Sequence, residues 1–307
     1  MDASFVVVGE ALIDVVVRGD GTTVGAYPGG SPANVALGLA RLERDTVLVT
    51  RMGRDSYGDR LVAHLNGNGV RLAPGHRDGA PTSTATALLD AGQAATYTFR
   101  LTWDLPEMPL EPGAACVHTG SIATFLDPGA ARVAGLLDAA RPHATVSYDP
   151  NCRPDLQGEP GAARAGFEAM AGRADLVRAS ADDLAWLYRG RDPLDVARAW
   201  LALGPSLVVL TLGEDGAYAV TAGEEVRVAA PRVTVADTVG AGDAFTSALL
   251  SGADDAGLLG GRLPAPSTGV LTRLLDRACR AAAITCTRPG ADPPTAAELA
   301  GTSVRLD

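Results

Sequence analysis

The first apolar run of the chain, Phe5 to Val8, stops at Gly9-Glu10, and a second β-branched run, Leu12 to Val17, precedes the turn Arg18-Gly19-Asp20-Gly21. This spacing predicts two strands in quick succession, the second entering a hairpin. At Gly29-Gly30-Ser31-Pro32-Ala33-Asn34 the period changes, and Val35, Leu37, Leu39, Ala40 and Leu42 recur at helical spacing. Ser31 as cap and Pro32 at the first helical position mark that helix start. Runs at 46–49, 116–118, 145–148 and 207–210 read as strands, separated by helical stretches around 56–66, 130–140, 162–170 and 195–203. Such alternation predicts an α/β fold with a mostly parallel sheet covered by helices, in one large domain or two ordinary ones at this length.

Two segments, about 11–28 and 84–104, break this rhythm. In the second, Thr84-Ala-Thr-Ala-Leu-Leu and Ala95-Thr-Tyr-Thr-Phe-Arg100 alternate as antiparallel strands do. Together the two segments are expected to form one small accessory sheet, inserted twice from the main domain. Short strands at 218–220 and 225–228, a Gly- and Pro-rich loop at 254–268 and a last helix at about 269–283 complete the pattern.

Composition narrows what such a fold does. With 26 basic and 36 acidic residues the formal charge is −10, which leaves no electrostatic footprint for nucleic acid or an anionic membrane. All 26 basic residues are arginine, and the chain has no lysine. Schiff-base chemistry and the GxxxxGK[ST] phosphate loop are therefore excluded. The four cysteines form no CxxC or dense spacing, the chain has no basic flank before Arg18, and no segment approaches 18 apolar residues. The expectation is a cytoplasmic chain with free thiols. The histidines show no metal-ligand pairing, and Trp103, Trp186 and Trp200 read as packing residues, Trp103, in the accessory sheet, also as a candidate pocket residue.

The strongest chemical signal is Asp237-Thr-Val-Gly-Ala-Gly-Asp243-Ala-Phe. Gly240, Ala241 and Gly242 at a helix entrance present unpaired N–H groups with the helix dipole behind them, an anion pocket. A carboxylate beside that pocket would repel a phosphate. Asp243 is instead suited to accept a proton from the group that attacks a phosphoryl centre.

This string resembles the C-terminal signature of the ribokinase-like (PfkB) carbohydrate kinases, which transfer the terminal phosphoryl of ATP to a sugar hydroxyl. The resemblance extends over nearly the whole chain. Gly29-Gly30-Ser-Pro-Ala-Asn34 is similar to the family's N-terminal glycine pair, and Gly9-Glu10 with Asp14 to its opening strand and sugar-binding aspartate. Glycines let a sugar approach the backbone, while Asp14 and Asn34 offer polar groups to its hydroxyls; Asp14 also reads as a turn aspartate. Asp149-Pro-Asn-Cys-Arg153 resembles the Asp-Pro-Asn-x-Arg of fructokinase-like members and implies Arg153 beside the transferred phosphate or sugar; a surface ion pair is the alternative. Thr211-Leu-Gly213-Glu-Asp-Gly216 resembles the nucleotide-side Thr-x-Gly-x-x-Gly.

In Ser180-Ala-Asp-Asp183, Asp183 stands where the family has glutamate near magnesium and its water shell, and the same spacing caps a helix. Asp237, with the 285–291 loop, resembles the monovalent-cation site of ribokinase, which implies potassium, although Val239 replaces a frequent threonine. The resemblance thus implies a ribokinase-like three-layer α/β/α domain over residues 1–307 with a central, mostly parallel sheet, a small β-sheet lid from about 11–28 and 84–104 that excludes water, ATP, magnesium, and a homodimer paired through that lid. A 2-keto-3-deoxygluconate kinase, a nucleoside or ribose kinase and a non-catalytic sugar sensor remain alternatives to a fructokinase-like enzyme. Strand alternation separates the first of these: Phe99 and Arg100 must face opposite sides, and Phe99 inward favours a neutral ketohexose whereas Arg100 inward favours an acid.

Overall fold

Alternate residues of the first strand go to different places: Phe5 and Val7 pack in one hydrophobic cluster, Val6 and Val8 in another. The same division recurs at Leu207 and Val209 against Val208 and Leu210. A sheet buried on both faces produces this pattern and explains why these strands are unbroken apolar runs. The computed structural model describes residues 4–89, 95–105 and 113–301.

In chain order the strands are β1 (Ser4–Val8), β2 (Leu12–Arg18), β3 (Thr23–Gly29), β4 (Thr46–Val49), β5 (Met52–Gly53), β6 (Arg71–Leu72), β7 (Arg77–Asp78), β8 (Thr84–Leu89), β9 (Ala95–Arg100), β10 (Ala114–Gly120), β11 (Thr145–Asp149), β12 (Leu176–Ser180), β13 (Leu207–Thr211), β14 (Ala217–Val220) and β15 (Glu225–Val228). Nine of them form the central sheet, in the order β15-β14-β13-β12-β11-β10-β1-β4-β6. It is parallel from β6 through β13, with β14 and β15 antiparallel at one edge. Helices Ser31–Arg41, Ala241–Asp255 and Thr268–Cys286 cover one face, and Gly129–Ala140, Pro160–Ala171 and Pro193–Trp200 cover the other.

A second sheet, ordered β3-β2-β8-β9, stands apart from the first. Its strands come from both segments that broke the rhythm, although residues 90–94 of the second lie outside the described residues. Contrary to a purely antiparallel expectation, β2 and β8 pair in parallel, because each insertion begins with a strand running in the same direction. One face of this sheet, through Ile13, Val15, Val17 and Ala26, packs on the main core. The other, through Leu12, Asp14, Ala85 and Phe99, lines a cavity.

Several features differ from the expectations. β12 has no counterpart in the apolar pattern, because Arg178 interrupts it. The helix after the signature runs from Ala241 to Asp255, and a short helix, Ala296–Gly301, follows the last expected one. The first helix is capped by Gly30, at φ 102°, rather than by Ser31, whose hydroxyl makes no capping bond.

Candidate active site

Parallel strands direct their carboxyl ends to one edge of the sheet, where ligands of open α/β folds bind. There β1 delivers Glu10, β11 ends in Asp149, β12 carries Arg178 and ends in Ser180, and β13 ends in Thr211. Arg178 is 6% exposed. Its Nη1 donates to Asp149 Oδ2 at 2.8 Å and its Nη2 to Thr211 Oγ1 at 2.7 Å. Three adjacent strand ends are thus tied by one guanidinium.

Asp243 arrives from the opposite direction, in the first turn of the helix capped by Gly240, whose φ of 76° is left-handed. The carboxylate is buried and accepts two hydrogen bonds, from Ser31 Oγ at 2.6 Å and from Asn34 Nδ2 at 2.8 Å. Ser31 and Asn34 lie one turn apart on the first helix, so a single helix face orients both oxygens. That helix packs closely on Ala241–Asp255: a Cβ on Gly38 would lie 2.3 Å from Ser247 Oγ. Of the signature amides, Ala241 N–H closes the turn onto Thr238 O at 3.2 Å, while Gly242 and Asp243 N–H have no acceptor among the described residues. Ala241 is therefore corrected from anion-pocket donor to turn closure.

Two cavities meet at this point. One, of about 510 Å³, is lined by Glu10, Asp14, Gly30, Asn34, Phe99, Arg153, Ser180, Asp183 and Asp243, among others. The other, of about 930 Å³, is lined by Thr211, Gly213, Gly216, Ala241 and an apolar wall that includes Val233, Phe245, Ala282 and Ala283. Arg178, Thr238 and Gly242 belong to both. Both volumes suit small-molecule ligands.

Several expected residues stand elsewhere. Gly29 lies outside both cavity linings; a Cβ there would meet Asp14 Oδ2 at 2.0 Å, so its bareness makes room for a carboxylate rather than a sugar. Gly30 is fixed both by its positive φ and by Glu10 O, 2.5 Å from where a Cβ would sit. Arg100 is exposed and outside the cavity lining because its neighbour Phe99 takes the inward position. Trp103 is buried and donates to Ala123 O at 3.0 Å.

Asp183 makes a capping box with Ser180: its Oδ2 accepts from Ser180 N at 2.8 Å and from Ser180 Oγ at 2.6 Å. Its Oδ1 accepts from Cys152 N at 2.7 Å. The capping reading is the arrangement found, on the cavity wall. Asp237 bridges two loops, accepting from Val239 N at 3.0 Å and Gly290 N at 2.8 Å. Arg153 lines the smaller cavity, its Nη1 donating to the Asn151 and Cys152 carbonyls and to the Asn151 side chain.

Crowded carboxylates shift their titration. Burial pushes Glu10 up to about 7 and Asp14 up to about 6, in both cases against the pull of Arg153. Asp149 is pushed up to about 6 by burial, opposed by Arg178. Burial also raises Asp243, opposed by the Ser31 and Asn34 bonds and then by Arg153 and Arg178. A raised carboxylate is a better proton acceptor near neutral pH, as a general base requires.

Sequence reasoning missed Arg178, the Ser31 bond to Asp243, and Glu10 as a cavity residue. For Arg178 a signal existed: one arginine between Val177 and Ala179 in a buried strand demands a buried acceptor.

Comparison with known proteins gives a match to the description "pfkB family carbohydrate kinase" over residues 2–298. A fructokinase of Rhizobium leguminosarum bv. trifolii is 35% identical over 79% of this chain and 77% of the relative. A fructokinase of Klebsiella pneumoniae is 35% identical, over 82% and 85%. Among solved structures, the fructokinase of Xylella fastidiosa with bound ATP superposes with a TM-score of 0.82 at 23% identity, covering 98% of each chain. A Vibrio cholerae fructokinase double mutant holding fructose, ADP and a potassium ion gives 0.75 at 25% identity, over 94% of each.

Proposed function

The chain belongs to the pfkB family of carbohydrate kinases and is an ATP-dependent, fructokinase-like sugar kinase; from that premise we propose that fructose itself is the acceptor. The observation that carries this reading is Asp243 on the acceptor side of the wall shared by the two cavities. The acceptor cavity is rich in carboxylates, with Glu10, Asp14, Asp155, Asp183 and Asp243 against Arg153 and Arg178, and Arg100 stands outside it. Such a wall suits the hydroxyls of a neutral sugar and disfavours an acid.

In this reading Asp14 and Asn34 bond acceptor hydroxyls, and Asp243 takes the proton of the attacking one. Ser31 and Asn34 hold the base in place. Gly242 and Asp243 amides meet the developing negative charge, and Thr211, Gly213 and Gly216 border the nucleotide. The second sheet acts as a lid that keeps water from the activated terminal phosphate.

Magnesium fits as an ion carried by the nucleotide. Among the described residues no cluster of three or more Asp, Glu, His or Cys side chains forms a cage, and Asp183 and Ser180, on the cavity wall, would meet the ion through its water shell. Such an ion would supply positive charge to offset that of the β- and γ-phosphates. Asp237, bridging the signature to the Gly290 loop, supports a monovalent-cation site of backbone carbonyls, with potassium as its ion. The exposed Val24, Tyr27, Leu88 and Tyr97 of the second sheet support a homodimer paired through the lid. We place the enzyme in the cytoplasm, its cysteines free thiols; no helix among the described residues is long and apolar enough to cross a membrane.

One observation favours a second acceptor. Tyr97 and Phe99 stack at 6.2 Å and 18° on the cavity wall, a surface a nucleoside base would use. A coupled ADP-release assay over fructose, ribose, 2-keto-3-deoxygluconate and purine nucleosides tests the proposal. Fructose is expected to give the highest kcat/KM; a nucleoside or the keto-acid ahead of it overturns the assignment.

A further inference from the structure

Among the described residues, Arg178 is the only charged side chain that lines both cavities. Its guanidinium has five N–H donors. Nη1 gives one to Asp149 and Nη2 one to Thr211, and Nε is buried without a partner among the described residues. An arginine taken out of water with donors unmatched is costly unless something else meets them. Gly242 explains where those donors lie: a Cβ there would come within 2.9 Å of Nη2 and 3.0 Å of Nη1. The bare signature glycine therefore lets the guanidinium rest against the turn whose free amides form the anion pocket, with its central carbon 5.8 Å from the Phe245 ring centroid.

Arg153, the cation singled out from the sequence, lies differently. It lines only the acceptor cavity, and its Nη1 is engaged by Asn151 and Cys152.

We propose that Arg178 is a catalytic residue whose guanidinium holds the phosphoryl group as it crosses from the nucleotide cavity to the acceptor. The inference rests on the sugar-kinase reading above. In the step, the acceptor oxygen forms a bond to the terminal phosphorus. The bond from that phosphorus to the β,γ-bridging oxygen breaks, ADP keeps the electron pair, and the hydroxyl proton passes to Asp243. Charge spread over the three equatorial oxygens is met by the unused N–H groups of Arg178 and by the Gly242 and Asp243 amides. Asp149 acts as a positioning residue: it supplies the counter-charge that keeps the arginine in the fold before the phosphate arrives, and aims its planar fork.

The test uses the full chain with Arg178→Met, Arg178→Lys, Arg178→Gly and the charge-balanced double variant Asp149→Asn/Arg178→Met. Each is checked for folding by circular dichroism and for ADP binding by calorimetry. Arg178→Met is expected to lose about 10³-fold or more in kcat, as removal of a phosphoryl-clamping arginine does, while the Kd for ADP and the KM for fructose stay within about fivefold of the original by the same reasoning. Arg178→Lys recovers part of the rate, and millimolar guanidinium restores Arg178→Gly saturably, which a purely structural arginine would not permit. If the single variant fails to fold, the double variant carries the same expectation. A folded Met or double variant turning over within tenfold of the original, or a rate loss matched by lost ADP binding and not rescued by guanidinium, overturns the proposal. If the unaltered chain phosphorylates none of the sugars, the kinase reading itself falls, and the role of Arg178 with it. An active parent beside active variants removes only Arg178.

Discussion

The two cavities that meet at Gly242 are built on different terms. On the acceptor side, function lies in side chains that hold one another: Ser31 and Asn34 bond Asp243, and Ser180 bonds Asp183. On the nucleotide side, strand ends and left-handed glycines supply a backbone rim, φ 59° at Gly213 and 93° at Gly216, above an apolar floor of Phe245, Ala282 and Ala283. In the proposed reading, the first cavity concentrates charge where a bond changes, and the second offers shape to a molecule whose reacting end lies elsewhere. Damage to the acceptor side should therefore appear in kcat, and damage to the nucleotide side in the KM for ATP.

The sharpest way to break this contrast is Asp243→Asn. The near-isosteric amide should keep sugar and ATP binding while kcat falls by about 10²–10⁴-fold, the usual share of a positioned base. Steady-state kinetics beside ADP calorimetry reads both; near-normal turnover in a folded variant removes Asp243 from the chemistry.

A smaller effect is expected from Asn34→Ala, which removes one hydrogen bond to the carboxylate. Such bonds to charged groups are worth about 1.5–3 kcal/mol, so kcat should fall about 10- to 100-fold. The sign of the pH effect is also fixed. The Asn34 bond lowers the Asp243 pKa, so its loss raises it, and the acid limb of kcat/KM should move to higher pH. A limb that stays or moves down denies that Asp243 is the titrating base.

The smallest effect belongs to the other cavity. Gly213→Ala places a Cβ in open space but in a left-handed conformation, a strain of about 1–2 kcal/mol. The KM for ATP is expected to rise about 5- to 30-fold on that scale, with kcat for saturating substrates nearly unchanged. An equal fall in kcat would show that the rim shapes the reacting end as well.

Legibility in the sequence followed the same boundary. The layered fold could be read because buried parallel strands are apolar runs and helices carry their own period, and the second sheet because Thr84–Leu89 and Ala95–Arg100 alternate. The signature could be read because its glycines and aspartates are local. Arg178 was hidden because its meaning depends on Asp149 and Thr211, 29 and 33 residues away. Ser31 looked like a helix cap because local rules assign it that work; Gly30 does it instead, and the freed hydroxyl serves a carboxylate that no local pattern contains.

The Ser31–Asp243 contact joins residues 212 positions apart. During synthesis, the helix that orients the base is finished long before the base itself exists. A nascent chain that ends before residue 243 holds the first helix but not the carboxylate it orients. The Ser31–Asp243 pair is completed only when the Ala241–Asp255 helix packs against the Ser31–Arg41 helix through Gly38. Activity therefore reports completed folding, and a chain cut short before the signature becomes an inert product rather than a wasteful one.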